Sequence, residues 1–417
     1  MTASPGRVDY DVVVVGGGPA GSAAARRLGR AGVRVAVLES HRFPRLKPCG
    51  NLVSHFARSH LEFDLPPGIV RGEARGAVVS FGSHVARILT PPFGVFCFRT
   101  DLDHFLIDRA VDAGAELRDA TTVCGVTIEG TAGVPRVRLS TRNGSTLTAH
   151  YVIGADGANS VVARYVRRRP LGRYERAVGL MELRPTPATG WKPEDDGLLF
   201  IDLNASRTGY GWVFPQGTHQ NIGVAGWAPF FRHAKAAFAT FASRLPDGGP
   251  RQQHGHLIPV GVFRYRIARG PLLLTGDAAG LLNLASGEGI GYAIASGQLA
   301  GDGIVRALAA PHAHADAAQR YTHLVRSSIA KELRAASCLA ALILATRRLH
   351  FALEPTDADA IFGRLFAAVA GTTTYANLAR FVFSHLPLYV AKWAWHSAGR
   401  SLSARVRPGT VGHGPSF

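Results

Sequence analysis

A chain of 417 residues with 47 % apolar content is long enough for two or three packed regions sharing a large globular core. Lys and Arg outnumber Asp and Glu by 47 to 29, a formal charge of +18, yet no zinc finger, RNA-binding signature or basic tail accompanies it and the excess Arg is scattered, as in RYVRRRPLGRYER, so no nucleic-acid partner is expected. Cys49, Cys97, Cys124 and Cys338 form neither a C-x-x-C pair nor a zinc-like set, no apolar run is long enough to cross a bilayer, and the N-terminus lacks a secretory apolar core. These features lead us to expect a cytoplasmic protein without structural metal, with peripheral membrane contact left open.

Residues Tyr10 to Val15, YDVVVV, read as a strand buried on both faces of a parallel sheet. The stretch GGGPAGSAAARRLGRAG follows, with Gly16, Gly18 and Gly21 in G-x-G-x-x-G spacing and Ala20 in the first turn of an Ala-rich helix. In that pattern the first glycine permits the tight turn, the second lets a pyrophosphate approach the backbone, and the third lets helix and strand pack closely; the helix N-terminus offers free N–H groups to the phosphate. A second strand, VRVAVLE, ends at Glu39 with Ser40 beside it. A carboxylate there suits a ribose hydroxyl pair and disfavours a 2′-phosphate, so FAD or NAD is expected rather than NADP.

Because the carboxyl ends of parallel strands face the ligand, the loop RFPRLKPCGNLVS runs along the cofactor and carries Lys47, Cys49 and Gly50 with it. Cys49, near a lysine and a Gly-containing turn, reads either as an activated thiol that protonates or contacts substrate, or as a small buried hydrophobe. Next, FCFRTDLDHFLIDRAVDAGAEL is a helix placing Arg99 and Asp103 four residues apart, with Asp103 in a structural cap or pair. HYVIGADGANSVVAR runs from a strand into Ala155-Asp156-Gly157 and a helix opened by Asn159 and Ser160. From about Gly179 to Phe263 the chain is β-rich; in GYGWVFPQGTHQNIGVAG, alternation puts Tyr210, Trp212 and Phe214 on one strand face, lining an apolar cavity or filling an aromatic core. A strand from Pro271 to Thr275 then ends in Gly276-Asp277, and a turn at Gly287-Glu288-Gly289 precedes a long helix from Ile290. The remainder holds two helical stretches, SSIAKELRAASCLAALILATRRLHFALE and YANLARFVFSHLPLYVAKWAWHSAGR, and from His312 onward 12 Lys and Arg face 5 Asp and Glu. There Phe381, Phe383, Tyr389, Trp393 and Trp395 beside Lys392 and Arg400 suit a lipid interface or helices that close the back of a substrate cavity.

The first, Asp156 and Asp277 segments together resemble the FAD domain of the p-hydroxybenzoate-hydroxylase-like flavoproteins, and Arg99 with Asp103 resembles that family's R-x-x-x-D-x-x-L helix. Tyr210, Trp212, Phe214 and Pro215 followed by Gly223 resemble the Y-x-W-x-F-P signature of geranylgeranyl reductases, flavoenzymes that saturate prenyl double bonds; Lys47, Cys49 and Gly50 match their basic, Cys-containing loop. Asn51 departs from the glycine run that follows Cys in that family, which puts the loop's backbone and the substrate in question. The resemblance covers roughly residues 10 to 310. It implies an α/β (α+β overall) fold: a discontinuous Rossmann-like FAD-binding domain (1–75, 99–178, 263–310), an inserted antiparallel β-sheet substrate domain (76–98, 179–262) and a C-terminal helical region (311–417). It implies FAD contacts at Gly16, Gly18, Ala20, Gly21, Glu39, Ser40, Lys47, Cys49, Gly50, Arg99, Asp156, Gly157, Gly276, Asp277, Gly287, Gly289 and Ile290, with Asp277 on the ribityl chain and the helix N-terminus at Ile290 stabilising negative charge on the reduced ring. Cys49, Tyr210 and Trp212 are the catalytic candidates. The expected reaction delivers a hydride from reduced FAD to one alkene carbon and a proton to the other; without a second G-x-G-x-x-G, NADPH or another electron donor must act transiently. A hydrophobic, isoprenoid-like substrate is expected. The same fold also hosts FAD monooxygenases and epoxidases, whose halogenase branch carries a W-x-W-x-I-P signature absent here, and a non-catalytic prenyl-binding module is the remaining alternative.

Overall fold

The computed structural model describes residues 8–130, 135–187, 195–246, 252–309, 317–348 and 354–404, without the side chains of 130, 262, 346–348 and 395–404. The chain opens with β1 (Tyr10–Val15), α1 (Pro19–Arg30) and β2 (Val35–Leu38). A first excursion to a second sheet supplies β3 (Leu52–Ser54), the short α2 (His55–Ser59), β4 (Glu73–Phe81) and β5 (His84–Phe96). The chain returns through α3 (Arg99–Val111), β6 (Glu116–Arg118), the hairpin of β7 (Val123–Gly130) and β8 (Pro135–Thr141), β9 (Thr146–Gly154) and α4 (Val161–Arg167). A second excursion adds β10 (Arg176–Pro185), β11 (Leu198–Asp202), β12 (Gly209–Gln216), β13 (His219–Trp227), α5 (Ala234–Ala242) and β14 (Gln253–Pro259). After β15 (Ala268–Arg269), β16 (Leu272–Leu274), α6 (Gly276–Ala279) and α7 (Ile290–Ala309), the chain ends in α8 (Ala317–Ser328), α9 (Ala330–Arg348), α10 (Pro355–Val369) and α11 (Tyr375–Ala404).

The first sheet has the order β15-β16-β9-β1-β2-β6, parallel from β16 to β6, with β8 and β7 continuing antiparallel from β9. Its centre is β1, whose Val12, Val13 and Val14 are fully buried, as a strand covered on both faces requires. The second sheet runs β14-β10-β13-β12-β11-β4-β5-β3 and is antiparallel except where β11 lies parallel to β4. Alternation splits β12 between two cores: Val213 points to Phe238 and Phe241 of α5, while Trp212 and Phe214 point the other way, into a cluster with Phe362 and Phe366 of α10 and Leu378 of α11. The expected mixed α/β class, with a Rossmann-like half, an antiparallel sheet and C-terminal helices, is the class observed. Segment 349–353 and the side chains of Trp395 and Arg400 lie outside the described residues.

Helix α7 packs on α1 closely enough to exclude side chains: a Cβ on Gly297 would lie 2.1 Å from the Ala20 carbonyl oxygen. Such contact fixes α7, and with it the turn that precedes it, against the glycine-rich turn after β1. Gly303, further along the same helix, has nothing within 4 Å of its Cβ position. We therefore expect Gly297→Ala to destabilise the protein by about 1–3 kcal/mol through overpacking, and Gly303→Ala to stabilise it by up to about 1 kcal/mol through helix propensity. Denaturant midpoints of the two variants, read at unchanged slope, check both signs.

Candidate active site

The glycine-rich turn forms because β1 ends against its neighbour β9: Gly16 takes φ 101°, and a Cβ there would sit 2.4 Å from Ala155 O. Gly21 lets α1 fold back on that turn, since its Cβ position is 1.9 Å from Gly16 O. Gly18 caps α1 with no side-chain cap of its own, and its Cβ position meets only Arg45 Nη2, at 3.5 Å, so the first turn of α1 faces open space. Unpaired N–H groups at such a helix start can hold a phosphate. Beyond β2, Glu39 is buried; its carboxylate accepts hydrogen bonds from Gly17 N (3.0 Å), His41 N (3.1 Å) and Ser40 Oγ (3.0 Å), and faces Arg45 Nε at 3.2 Å. Burial pulls its pKa up, but Arg45 and the N–H donors outweigh burial and hold it below the usual carboxylate value. Glu39 is therefore an ionised acceptor fixed at the end of the strand.

Arg45, which the sequence reading passed over, extends this into a buried chain. It donates from Nη1 to Asp103 Oδ2 at 3.0 Å, and Asp103, fully buried, also receives a two-pronged contact from Arg99 at 2.7 and 2.8 Å. Arg99 in turn hydrogen-bonds the Cys49 side chain. Asp103 is thus the structural partner expected of it, and the cation bonded to Cys49 is Arg99. Lys47 instead points its amine at His256 and Asp277 Oδ2, the latter 3.9 Å away; burial lowers its pKa, only partly opposed by Asp277. Asp277 opens α6 with His256 Nε2 at 3.6 Å from Oδ2; burial raises its pKa, but the His256 hydrogen bond and the Lys47 charge win and keep it low. Asp156 faces inward, capping α4 through Ser160 Oγ (2.5 Å) and Val161 N (2.6 Å), and burial raises its pKa despite those bonds.

The Cys49 loop is clamped from the second sheet. Asn221 of β13 accepts from Trp212 Nε1 (2.9 Å) and donates to Cys49 O (2.8 Å), while Gln216 of β12 donates to Gly50 O and accepts from Asn51 Nδ2, both at 3.0 Å. Asn51, the departure noted in the sequence, adopts φ 64°, a left-handed conformation that Asn tolerates among non-glycine residues. Its carbonyl then accepts Cys97 N at 2.9 Å, tying the loop to the segment before α3. Burial pushes the Cys97 thiol up to about 12, making it an inert neighbour.

The glycine-rich turn, Glu39, Arg45, the loop from Lys47 to Asn51, Arg99, Asp156, His256 and Asp277 border one cavity of about 900 Å³, within the range of cofactor and ligand sites. Of the residues singled out from sequence, Gly16, Gly18, Ala20, Glu39, Ser40, Lys47, Cys49, Gly50, Arg99, Asp156, Gly157, Tyr210, Trp212, Gly276, Asp277, Gly287, Gly289 and Ile290 line it; Gly21 lies behind its wall. Arg45, Asn51, His256 and Glu288, and the α10 residues Phe362, Leu365, Phe366 and Val369, line it too, and none of these was marked as a site residue. The open cradle at Gly18, the ionised Glu39 and the N-terminus of α7 are groups that would fit FAD. Among the described residues no cluster of His, Cys, Asp and Glu is arranged to hold a metal.

A side chain at Gly18 meets little protein, so a large one there projects into the cradle and leaves the fold intact. Gly18→Trp is expected to purify folded, by circular dichroism and unfolding midpoint, yet without the visible absorbance of bound flavin; a yellow Gly18→Trp protein contradicts the cradle.

Residues 9–54 and 73–219 match the FAD binding domain family model. The geranylgeranyl diphosphate reductase of Rhodobacter capsulatus is 33 % identical over 304 residues, covering 70 % of this chain and 74 % of the relative. The menaquinone reductase of Mycolicibacterium smegmatis is 33 % identical over 315 residues, covering 70 % and 75 %. Among solved structures, a geranylgeranyl bacteriochlorophyll reductase-like protein of Thermoplasma acidophilum superposes with a TM-score of 0.77 at 22 % identity, covering 92 % of this chain and 98 % of that one, which supports the fold. The flavin-dependent brominase Bmp2 shares that fold more loosely, with a TM-score of 0.64 at 16 % identity over 92 % of this chain and 99 % of that one. By sequence and by architecture, this chain belongs to the geranylgeranyl reductase family of FAD-dependent oxidoreductases.

Proposed function

We propose that the protein uses FAD to saturate carbon–carbon double bonds of a prenyl, geranylgeranyl-like chain or a similarly long apolar polyene. The observation that carries this reading is the change of wall along the cavity. Beyond Cys49 it is lined by Met181, Leu199 and Ile201, by the ring stripe Tyr210-Trp212-Phe214 with neighbouring centroids 5.8 and 6.1 Å apart, and by Phe362, Phe366 and Val369 of α10. An apolar arm opening directly from a cofactor cradle suits a chain, and relatives named for geranylgeranyl diphosphate and menaquinone support that choice.

In this reading Gly18, Ala20 and the free N–H groups of α1 hold the pyrophosphate, Glu39 and Ser40 the ribose, Asp277 the ribityl chain, and Gly289 and Ile290 at the start of α7 the ring carbonyl side. When bound and reduced, FAD supplies the hydride; NADPH or another donor restores it in a transient encounter. Tyr210 and Trp212 confine the chain, and the arm excludes water from the reacting carbons. Cys49, held by Arg99 on its side chain and Asn221 on its carbonyl, presents its thiol where cradle and arm meet, in contact with the alkene.

Anaerobic mixing of the reduced holoprotein with geranylgeranyl diphosphate tests this: flavin should reoxidise as the product gains two hydrogens. Product that forms only with oxygen instead favours a monooxygenase. In the same assay we expect Cys49→Ala to keep its flavin and fold but, because the alkene loses a contact that positions it, to reduce it on the order of a hundredfold more slowly, with Cys97→Ala and Cys338→Ala near the wild-type rate. Wild-type turnover by Cys49→Ala returns that thiol to a packing role.

We also infer a lipid contact on α11. Of the aromatic residues considered for an interface, Tyr389 is buried, Phe381 and Trp393 are half-buried and Phe383 is exposed, while Lys392 is engaged with Asp357 at 3.0 Å. The face that remains is the stripe Phe383, Leu386, Pro387 and Val390, at helical spacing, with Phe383 45 % and Val390 46 % exposed. On a strongly basic protein such a stripe fits an anionic bilayer, where prenyl lipids reside. Phe383→Asp with Val390→Asp should weaken flotation with phosphatidylserine vesicles at least several-fold while solution turnover persists; unchanged flotation assigns α11 to closing the cavity alone.

A further inference from the structure

Saturating an alkene needs a proton as well as a hydride, and the reductase reading above leaves its source open. Among the polar groups on the cavity wall, Tyr210 is a poor donor near neutral pH because burial pushes its phenol up to about 12. Glu288 is different. It lies two residues before α7 in the turn between α6 and α7, and its side chain lines the cavity. On one side the turn runs into Gly289 and Ile290, where the cradle ends; on the other it touches the apolar arm, since a Cβ on Gly287 would stand 2.6 Å from Tyr210 Oη. Asn283 N donates to Glu288 O at 2.9 Å and Glu288 N to Ser286 Oγ at 3.3 Å, which fixes the turn. The carboxyl accepts a hydrogen bond from Ser54 Oγ, and that hydroxyl is itself held by Ala57 N at 3.1 Å.

The surroundings favour the neutral acid. The groups facing this region are Tyr292 of α7, Tyr375 of α11 and Glu332 of α9, whose backbone partner is Tyr375 N at 2.7 Å; among the described residues no cation pairs with Glu288. We propose that Glu288 is the acid that protonates the alkene carbon opposite the one receiving the hydride. The π bond is lost, one C–H bond forms with the hydride of the reduced cofactor and the other with the Glu288 proton, the cofactor is left oxidised, and the carboxylate regains its proton from solvent. Burial raises the Glu288 pKa to about 7 against the opposing Ser54 hydrogen bond, which places this acid near the operating pH at which a proton donor is most effective.

Two readouts test it on the FAD-loaded protein. In single-turnover reduction of geranylgeranyl diphosphate, the wild-type rate should be level below about pH 7 and fall about tenfold per unit above it. Glu288→Gln should be slower by about a hundredfold or more at pH 6 and lose that dependence, Glu288→Asp should restore part of both, and flavin content should be unchanged in each. Independently of turnover, infrared titration of the oxidised holoprotein should show a protonated-carboxyl band lost with a midpoint near 7, absent from Glu288→Gln. A Glu288→Gln rate and pH profile matching wild type, or a Glu288 carboxyl that ionises in the ordinary range below 5, overturns the proposal. If wild type itself leaves the probe unreduced while the band titrates near 7, the failure belongs to the reductase reading, and the role given to Glu288 falls with it.

Discussion

Two arginines share one fully buried carboxylate, and the site is organised around that arrangement. Asp103 faces Arg99 and Arg45 within 2.7–3.0 Å, and Arg45 reaches Glu39 at 3.2 Å, so two cations and two anions alternate in the interior. Each ion would be costly to bury alone, and removing Asp103 would leave the buried Arg99 guanidinium without a carboxylate while Arg45 kept only Glu39, a loss of about 3–5 kcal/mol. This alternation of charges joins the end of β2, the Cys49 loop and α3. Its ends are two polar groups on the cavity wall: Glu39 and, through Arg99, the thiol of Cys49.

Polar fixation and apolar shape are coupled through the second sheet. Asn221 receives Trp212 Nε1 and grips the Cys49 carbonyl, so an aromatic of the apolar arm and the loop of the cradle are set by one side chain. The arm stays open because its rings stand on a strand whose alternate residue, Val213, is anchored in the separate core beneath α5. α10 then closes the far wall with Phe362 and Phe366. A cavity that is polar at one end and apolar at the other follows from this division of labour between the two sheets.

What the sequence revealed was local. The valine run of β1, the glycine spacing and the terminal Glu39 lie within one β-α-β unit, where periodicity and turn chemistry announce themselves; Arg99 and Asp103 are one helical turn apart. Asn51 to Gln216 and Lys47 to His256 are separated by 165 and 209 residues, and Gln216, Asn221 and His256 carry no local pattern that distinguishes them from ordinary strand residues. Arg45 looked like one arginine among many because only tertiary burial pairs it. Glu288 was legible as part of a glycine turn; that its carboxyl would be enclosed, with no cation among the described residues paired to it, depends on α9 and α11, hundreds of residues from the fingerprint that identified the fold.

The claim that the apolar arm presents an alkene to reduced flavin meets its most direct test in the atoms the product acquires. Reduced holoprotein and geranylgeranyl diphosphate, combined in deuterium oxide with a trace of ¹⁸O-labelled oxygen, should yield product carrying two carbon-bound deuterons for each double bond lost and no ¹⁸O, as judged by mass spectrometry. Product that carries ¹⁸O, or a recovered substrate with every double bond intact beside oxidised flavin, would contradict it.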